Sequence, residues 1–168
     1  MFSYIYLASQ SPRRQELLKQ IGVKFELLIA EPNEDTESLE IPLPDEKAWD
    51  YVQRVTLAKS SIALARWQNS GKPWAPILCA DTTVSLPGHP TGEILGKPID
   101  AADAARILQM LSGKVHEVLT AVALMLDPET TPLSLVQVSA VEFGHLTPEQ
   151  ITSYISSGEP FGKAGAYG

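Results

Sequence analysis

The chain has 168 residues, 44% hydrophobic and 20% charged, which suits one globular domain with its own core and excludes disordered or fibrous classes. Its formal charge of −7 argues against tracking along a nucleic acid, whose phosphate backbone rewards clustered Lys and Arg, yet permits a small phosphorylated ligand held by a few aimed cations. The longest nearly apolar stretch, Val118 to Leu126, is far short of the ~20 residues that cross a bilayer, and no basic segment precedes an apolar run at the N-terminus, so neither a membrane partner nor a signal peptide is expected.

Tyr4 to Ala8 reads as a short buried strand ending in the polar turn Ser9-Gln10-Ser11. Ser11 suits an N-cap and Pro12 the first helical position; the helix carries Leu17, Leu18 and Ile21 on one face and stops at Gly22. Lys24 to Ile29 follows as a second strand, and this strand-helix-strand succession indicates an α/β arrangement. The acidic, proline-bearing stretch from Ala30 to Asp45 is a loop. A long helix from Glu46 to Gln68 sets Ala48, Tyr51, Val52, Val55, Ala58, Ile62 and Ala65 at helical spacing. Ile77 to Ala80 is a buried strand, and Thr83 to Leu86 with Glu93 to Leu95 flank a hairpin tipped around Gly88 to Gly92. Asp100 caps a helix ending at Leu111, Val115 to Leu126 and Leu133 to Phe143 are long strands, and Thr147-Pro148 opens a last helix closed by Gly158. The sum is a single α/β (mixed α+β) domain over residues 1–168. Its strand order stays open. The Gly-rich turn Lys163 to Gly168 has no element after it, so further residues are expected beyond it.

Several constellations point to phosphate chemistry. Arg13 and Arg14 sit in the first turn of a helix, where they oppose its dipole unless an anion sits there; a phosphate would gain backbone N–H groups, two guanidiniums and the hydroxyls of Ser9 and Ser11. The alternative is that both arginines turn away to surface carboxylates. Asp81 follows a buried strand, where α/β enzymes often place a functional carboxylate, and could bind Mg²⁺ or position a water; as readily it caps a turn. Glu31, Glu34 and Asp35 are possible second carboxylates, and spacing does not choose among them. Lys59 falls at the edge of the apolar arc of its helix, either snorkelling or entering a cleft, while Lys97 lies in Gly96-Lys97-Pro98, a stiff turn open to close approach. His89, His116 and His145 lack metal-ligand spacing, and Cys79, the one cysteine, excludes a disulfide framework and suits a reducing, cytoplasmic location. Trp49, Trp67 and Trp74 read as packing residues.

In these segments the chain resembles the Maf family of nucleotide pyrophosphatases. Leu7 to Arg14 with Glu16-Leu17-Leu18, Ala80-Asp81-Thr82, Gly96-Lys97-Pro98, Leu111-Ser112-Gly113 with His116, Thr120, and Gly158-Glu159-Pro160 with Lys163 to Gly168 recur in the family's order. The resemblance implies a fold like the inosine triphosphate pyrophosphatases, with two lobes around a central cleft. It implies catalysis by Asp81, a divalent metal (Mg²⁺ or Mn²⁺) on Asp81 and Glu34, and a cleft lined by Glu34, Lys59 and Lys97, with Lys163 a further substrate cation. Pro-Arg-Arg with Gly-Ala-Tyr-Gly is similar to the dTTP/UTP branch, with Arg13, Thr82 and Tyr167 tied to pyrimidine preference; the 7-methyl-GTP branch shows Pro-Trp-Arg. The resemblance also implies a homodimer, and a continuation through Ile-Gln-Gly and Gly-Leu-Pro segments. Loops around Leu39 to Pro44 and Gly88 to Gly92 are longer than the family's. The expected reaction is hydrolysis of a nucleoside triphosphate to monophosphate and pyrophosphate by direct attack of water. The alternatives are the same reaction on a purine or modified nucleotide, or a non-catalytic nucleotide-binding regulator of septum formation.

Overall fold

Apolar runs make the strands of this molecule, and proline- or Asp-capped segments make most of its helices. The structure, a computed structural model, describes residues 2–31, 34–86, 88 and 93–168. In chain order come β1 (Ile5–Leu7), α1 (Pro12–Gln20), β2 (Phe25–Leu27), a 3-10 turn (Ser38–Glu40), α2 (Ala48–Ser70), β3 (Ile77–Leu86) and β4 (Glu93–Leu95). α3 (Ala101–Leu111), β5 (Val115–Met125), β6 (Leu133–Glu142), α4 (Pro148–Ser156) and a second 3-10 turn (Ala164–Ala166) follow. The strands form one sheet in the order β2-β1-β3-β5-β6, with β4 paired to β3 off that path. β1 is parallel to β2 and to β3, with Tyr6 opposite Ile77 and Leu7 opposite Leu78. This is the mixed α/β class expected.

The sharpest departure lies in β3. The sequence reading ends a strand at Ala80 and starts another at Thr83, but the structure runs one ten-residue strand through Asp81-Thr82-Thr83. Polar side chains suggested a turn there; the β-branched threonines fit a pleated strand, and Thr83 is fully buried. Val84, Ser85 and Leu86 then pair antiparallel with Leu95, Ile94 and Glu93. Of the tip expected between them, all but Gly88 lies outside the described residues, His89 included.

The chain divides into two compact units: Met1–Ile41, Gln53–Asp81 and Ala121–Val136 form the first, and Pro42–Val52, Thr82–Thr120 and Gln137–Gly168 the second. The first is cored by Tyr6, Leu28, Ala63, Ala75, Ile77, Cys79 and Met125. Trp67 and Trp74 pack on it, edge to face at 4.7 Å, each indole N–H donating to a backbone carbonyl. The second is cored by Val84, Leu95, Ala104, Ile107, Leu108, Leu111, Ile151 and Ala166. Trp49, expected in the packing, is instead 46% exposed.

Caps explain where α3 and α4 start. Asp100 accepts from the Asp103 N–H at 2.8 Å, and Thr147 with Gln150 closes a reciprocal capping box. α1 differs: Ser11 holds the cap position without a side-chain capping bond, and only Leu18 of the expected apolar face is buried, Leu17 and Ile21 being exposed. The turn at Lys163 to Gly168 is tightly built. A Cβ on Gly165 would stand 2.6 Å from a Val84 methyl, and its N–H donates to Gly96 O at 3.0 Å.

Candidate active site

In the first unit, α2 and the loop before it converge on β3. α2 buries Val55, Thr56, Ser60 and Ala63, whereas Ala65 of the expected stripe is exposed. Lys59, between Thr56 and Ser60, projects its ammonium to 2.6 Å from Asp81 Oδ1 and 2.7 Å from Glu40 Oε1. Asp81 lies within the strand, only 7% exposed, where the sequence reading put it at a strand end. Burial raises its pKa above the usual carboxylate range, and Glu40 adds to this, while Lys59 and Arg14 pull the other way. Burial opposes the Lys59 charge too, but Asp81 and then Glu40 outweigh it and leave the Lys59 pKa above its ordinary value.

Arg14 adds a second cation. Its Nη1 donates to Ser9 Oγ at 3.2 Å, an oxygen that also accepts from the Ser11 N–H at 3.2 Å. Burial lowers the Arg14 pKa, and the charges of Asp81, Cys79 and Glu40 partly restore it. Arg13 is exposed on the same helix turn. Cys79 is buried, and burial pushes its thiol up to about 12, so it is an inert core residue.

Glu34 is engaged elsewhere. Both its oxygens accept from Arg66, at 2.8 Å from Nε and 2.5 Å from Nη2, and the Glu31 N–H donates to it at 3.0 Å. The Arg66 bond, assisted by that backbone donor, holds the Glu34 pKa down at about 2. The carboxylate brought to Lys59 beside Asp81 is therefore Glu40, which the sequence reading missed. Glu40 lies in the Leu39 to Pro44 loop that is longer than the family's, but nothing in that loop gave it a role; the 3-10 turn at Ser38–Glu40 and its ion pair with Lys59 on α2 single it out.

In the second unit, Thr82 shares a hydrogen bond with Thr120, Oγ1 to Oγ1 at 3.1 Å. Lys97 is exposed in the turn before buried Pro98. Lys163 pairs with Glu159, one turn back, at 2.7 Å and also donates to the Glu159 carbonyl. His116 is fully buried, its Nε2 2.7 Å from the Tyr167 hydroxyl, with Phe143 edge-on to both rings. Burial lowers its pKa and favours the neutral ring.

The donor chemistry suits a hard divalent cation. Among the described residues no group of three or more His, Cys, Asp or Glu is placed to hold a metal. Mg²⁺, however, commonly takes only one or two protein carboxylates, the rest of its shell being phosphate oxygens and water. Asp81 and Glu40 already converge on one positive charge, the Lys59 ammonium, and so fit such an ion. Two carboxylates, a lysine and an arginine gathered at a buried strand can bind a metal-bound phosphate chain and activate water beside it.

Comparison with known proteins agrees with this chemistry. The family described as Maf-like protein matches residues 4–168. The chain is 55% identical to a dTTP/UTP pyrophosphatase of Burkholderia orbicola, covering 99% of this chain and 78% of the relative. It is 56% identical to a dTTP/UTP pyrophosphatase of Ralstonia nicotianae over 98% of this chain and 77% of that one. A third such protein, from Cupriavidus pinatubonensis, is 51% identical over 100% of this chain and 81% of its own length.

Proposed function

This chain belongs to the Maf family, and from that premise we propose that it is a dTTP/UTP pyrophosphatase, hydrolysing the α–β phosphoanhydride to yield the nucleoside monophosphate and pyrophosphate. The observation that carries the reading is the Lys59 ammonium held between buried Asp81 and half-buried Glu40.

Asp81 serves as the base that takes a proton from the attacking water. Its pKa, raised by burial, makes it a stronger base than an exposed aspartate. Lys59, on a flexible stem, leaves one carboxylate to meet the phosphates, and with Arg14 it offsets charge developing on the leaving pyrophosphate. Lys97 and Lys163 add further phosphate contacts, and the Ser9 and Ser11 hydroxyls accompany Arg14. Arg13 and Thr82 are assigned to the choice of base. Asp81 with Glu40 would hold Mg²⁺ or Mn²⁺, Glu34 being taken by Arg66; when bound, the ion supplies charge neutralisation at phosphate oxygens and acidity to a water.

A pyrophosphate-release assay with dTTP, UTP, CTP, dATP and GTP tests the reading. Efficient release from dTTP and UTP and much poorer release from purines is expected. No release from any of them ends the proposal, whereas equal efficiency on GTP and dTTP removes only the pyrimidine preference. A cytoplasmic homodimer completes the proposal, the dimer checked by light scattering. No helix of the described residues is long and apolar enough to cross a membrane.

A further inference from the structure

Glu40 reaches Lys59 from a loop, and one side chain of α2 fixes the backbone on either side of it. Arg54 Nη1 donates to Leu39 O at 3.2 Å, and Nη2 donates to Ile41 O at 3.1 Å. A single planar guanidinium thus spans the carbonyls that flank Glu40, a geometry suited to Arg and not to the point charge of Lys. These carbonyls lie at the exit of the Ser38–Glu40 turn, where turn geometry leaves acceptors to be satisfied from outside.

Farther along the helix, Arg66 donates to the Leu28 carbonyl and to both oxygens of Glu34, so α2 grips the entry of the loop as well. Lys59 lies between the two arginines in sequence and takes the Glu40 carboxylate itself. The three cations differ in what can displace them. A phosphate or a divalent ion competes for Lys59 and for its carboxylates. The bonds from Arg54 end on backbone carbonyls and not on the carboxylates that Lys59 engages. They would hold the backbone around Glu40 when Lys59 is drawn onto a substrate.

We propose that Arg54 is a positioning residue of the active site, acting through Glu40 by holding that carboxylate beside Lys59 and Asp81. Its importance for catalysis rests on the pyrophosphatase reading above, but the metal-binding arm of its test does not. Equilibrium Mn²⁺ binding to the nucleotide-free protein, followed by the paramagnetic resonance of the free ion, reads the placement of Glu40 without turnover. Arg54→Ala and Glu40→Gln should each weaken Mn²⁺ by about 10-fold, the lower end of what outer partners of metal ligands contribute. The double variant should bind no more weakly than Glu40→Gln alone, because Arg54 acts through that side chain. In turnover, Arg54→Ala should lower kcat about 10-fold with KM for dTTP within about 2-fold, since the phosphate cations remain. Arg54→Lys should recover only part of the loss.

Unchanged Mn²⁺ affinity in either single variant, or losses that add in the double, would overturn the proposal. So would a KM effect with kcat intact. Should Arg54→Ala fail to fold, Arg54→Lys and Arg54→Gln carry the same cycle. If the variants show the expected Mn²⁺ coupling but the wild-type protein releases no pyrophosphate, the pyrophosphatase reading falls and the role of Arg54 stands.

Discussion

Lys59 carries one positive charge between two carboxylates, so a change at any of the three alters the other two. Asp81→Asn keeps the shape and an acceptor for Lys59 but removes the proton acceptor. Turnover should fall by roughly 10²–10⁴-fold, the range of general-base catalysis, with circular dichroism and melting temperature near wild type. Activity within a few-fold of wild type would remove Asp81 from the mechanism. Glu34 makes a separate prediction about stability. Its pKa sits at about 2 in the folded chain against an ordinary 4.5, so its ion pair stabilises the fold above 4.5, and that stabilisation is lost as pH falls toward 2. The melting-temperature gap between wild type and Glu34→Gln should be full at pH 7 and shrink progressively below pH 4.5. A gap that does not change with pH would show that Glu34 stabilises the loop without its charge. Asp81 and Lys59 were legible because each broke a local pattern, one a polar residue after a buried run, the other a lysine at the edge of an apolar arc. Glu40 broke no pattern, being one acid among several, and only tertiary placement distinguishes it.

Helices with explicit caps could be read almost to the residue, as could β4, β5 and β6, whereas the start of α2 and the continuity of β3 could not. α3 and α4 begin where Asp100 and Thr147 say they should, and both caps are made in the fold. Thr147→Ala removes one half of the reciprocal box and should cost about 1 kcal/mol in urea denaturation; no change in midpoint would mean that the helix is held by packing alone. The continuity of β3 was hidden because composition pulled one way and tertiary burial the other: Asp81-Thr82-Thr83 reads as a polar turn until the strand's burial is known. At α1 the cap sequence is present, yet the Ser11 side chain does not cap the helix, and two arginines follow in the first turn. Arg14, beside Ser9 and within the field of Asp81 and Glu40, should contribute more to triphosphate binding than exposed Arg13. Arg14→Ala is expected to raise KM for dTTP by at least about 10-fold, the worth of one charge-assisted hydrogen bond. If Arg13→Ala and Arg14→Ala both leave KM unchanged, the arginines of α1 are surface residues.

The 168 residues carry a formal charge of −7, yet the candidate substrate is a polyanion. Binding must then depend on a few local cations working against the general field, and added salt screens both. Where short-range pairs with Lys59 and Arg14 dominate, raising NaCl should increase KM for dTTP. Where the net negative field dominates, KM should fall, and the cations would then be too weakly engaged to account for binding. The mixed α/β class was legible from the alternation of strands and helices, and two lobes came with the family resemblance, but which stretches of sequence form which unit was not legible. Each unit is assembled from three separated stretches of sequence, and β3 passes from one to the other between Asp81 and Thr82 without any break in composition. That interleaving constrains how the protein is made. On the ribosome, the first unit lacks Ala121–Val136 until most of the chain has been translated, although its other segments emerge early. Neither unit can finish folding while the nascent chain is short, so Tyr6, Ile77 and their neighbours must wait, exposed or held by a chaperone, for a strand synthesised much later.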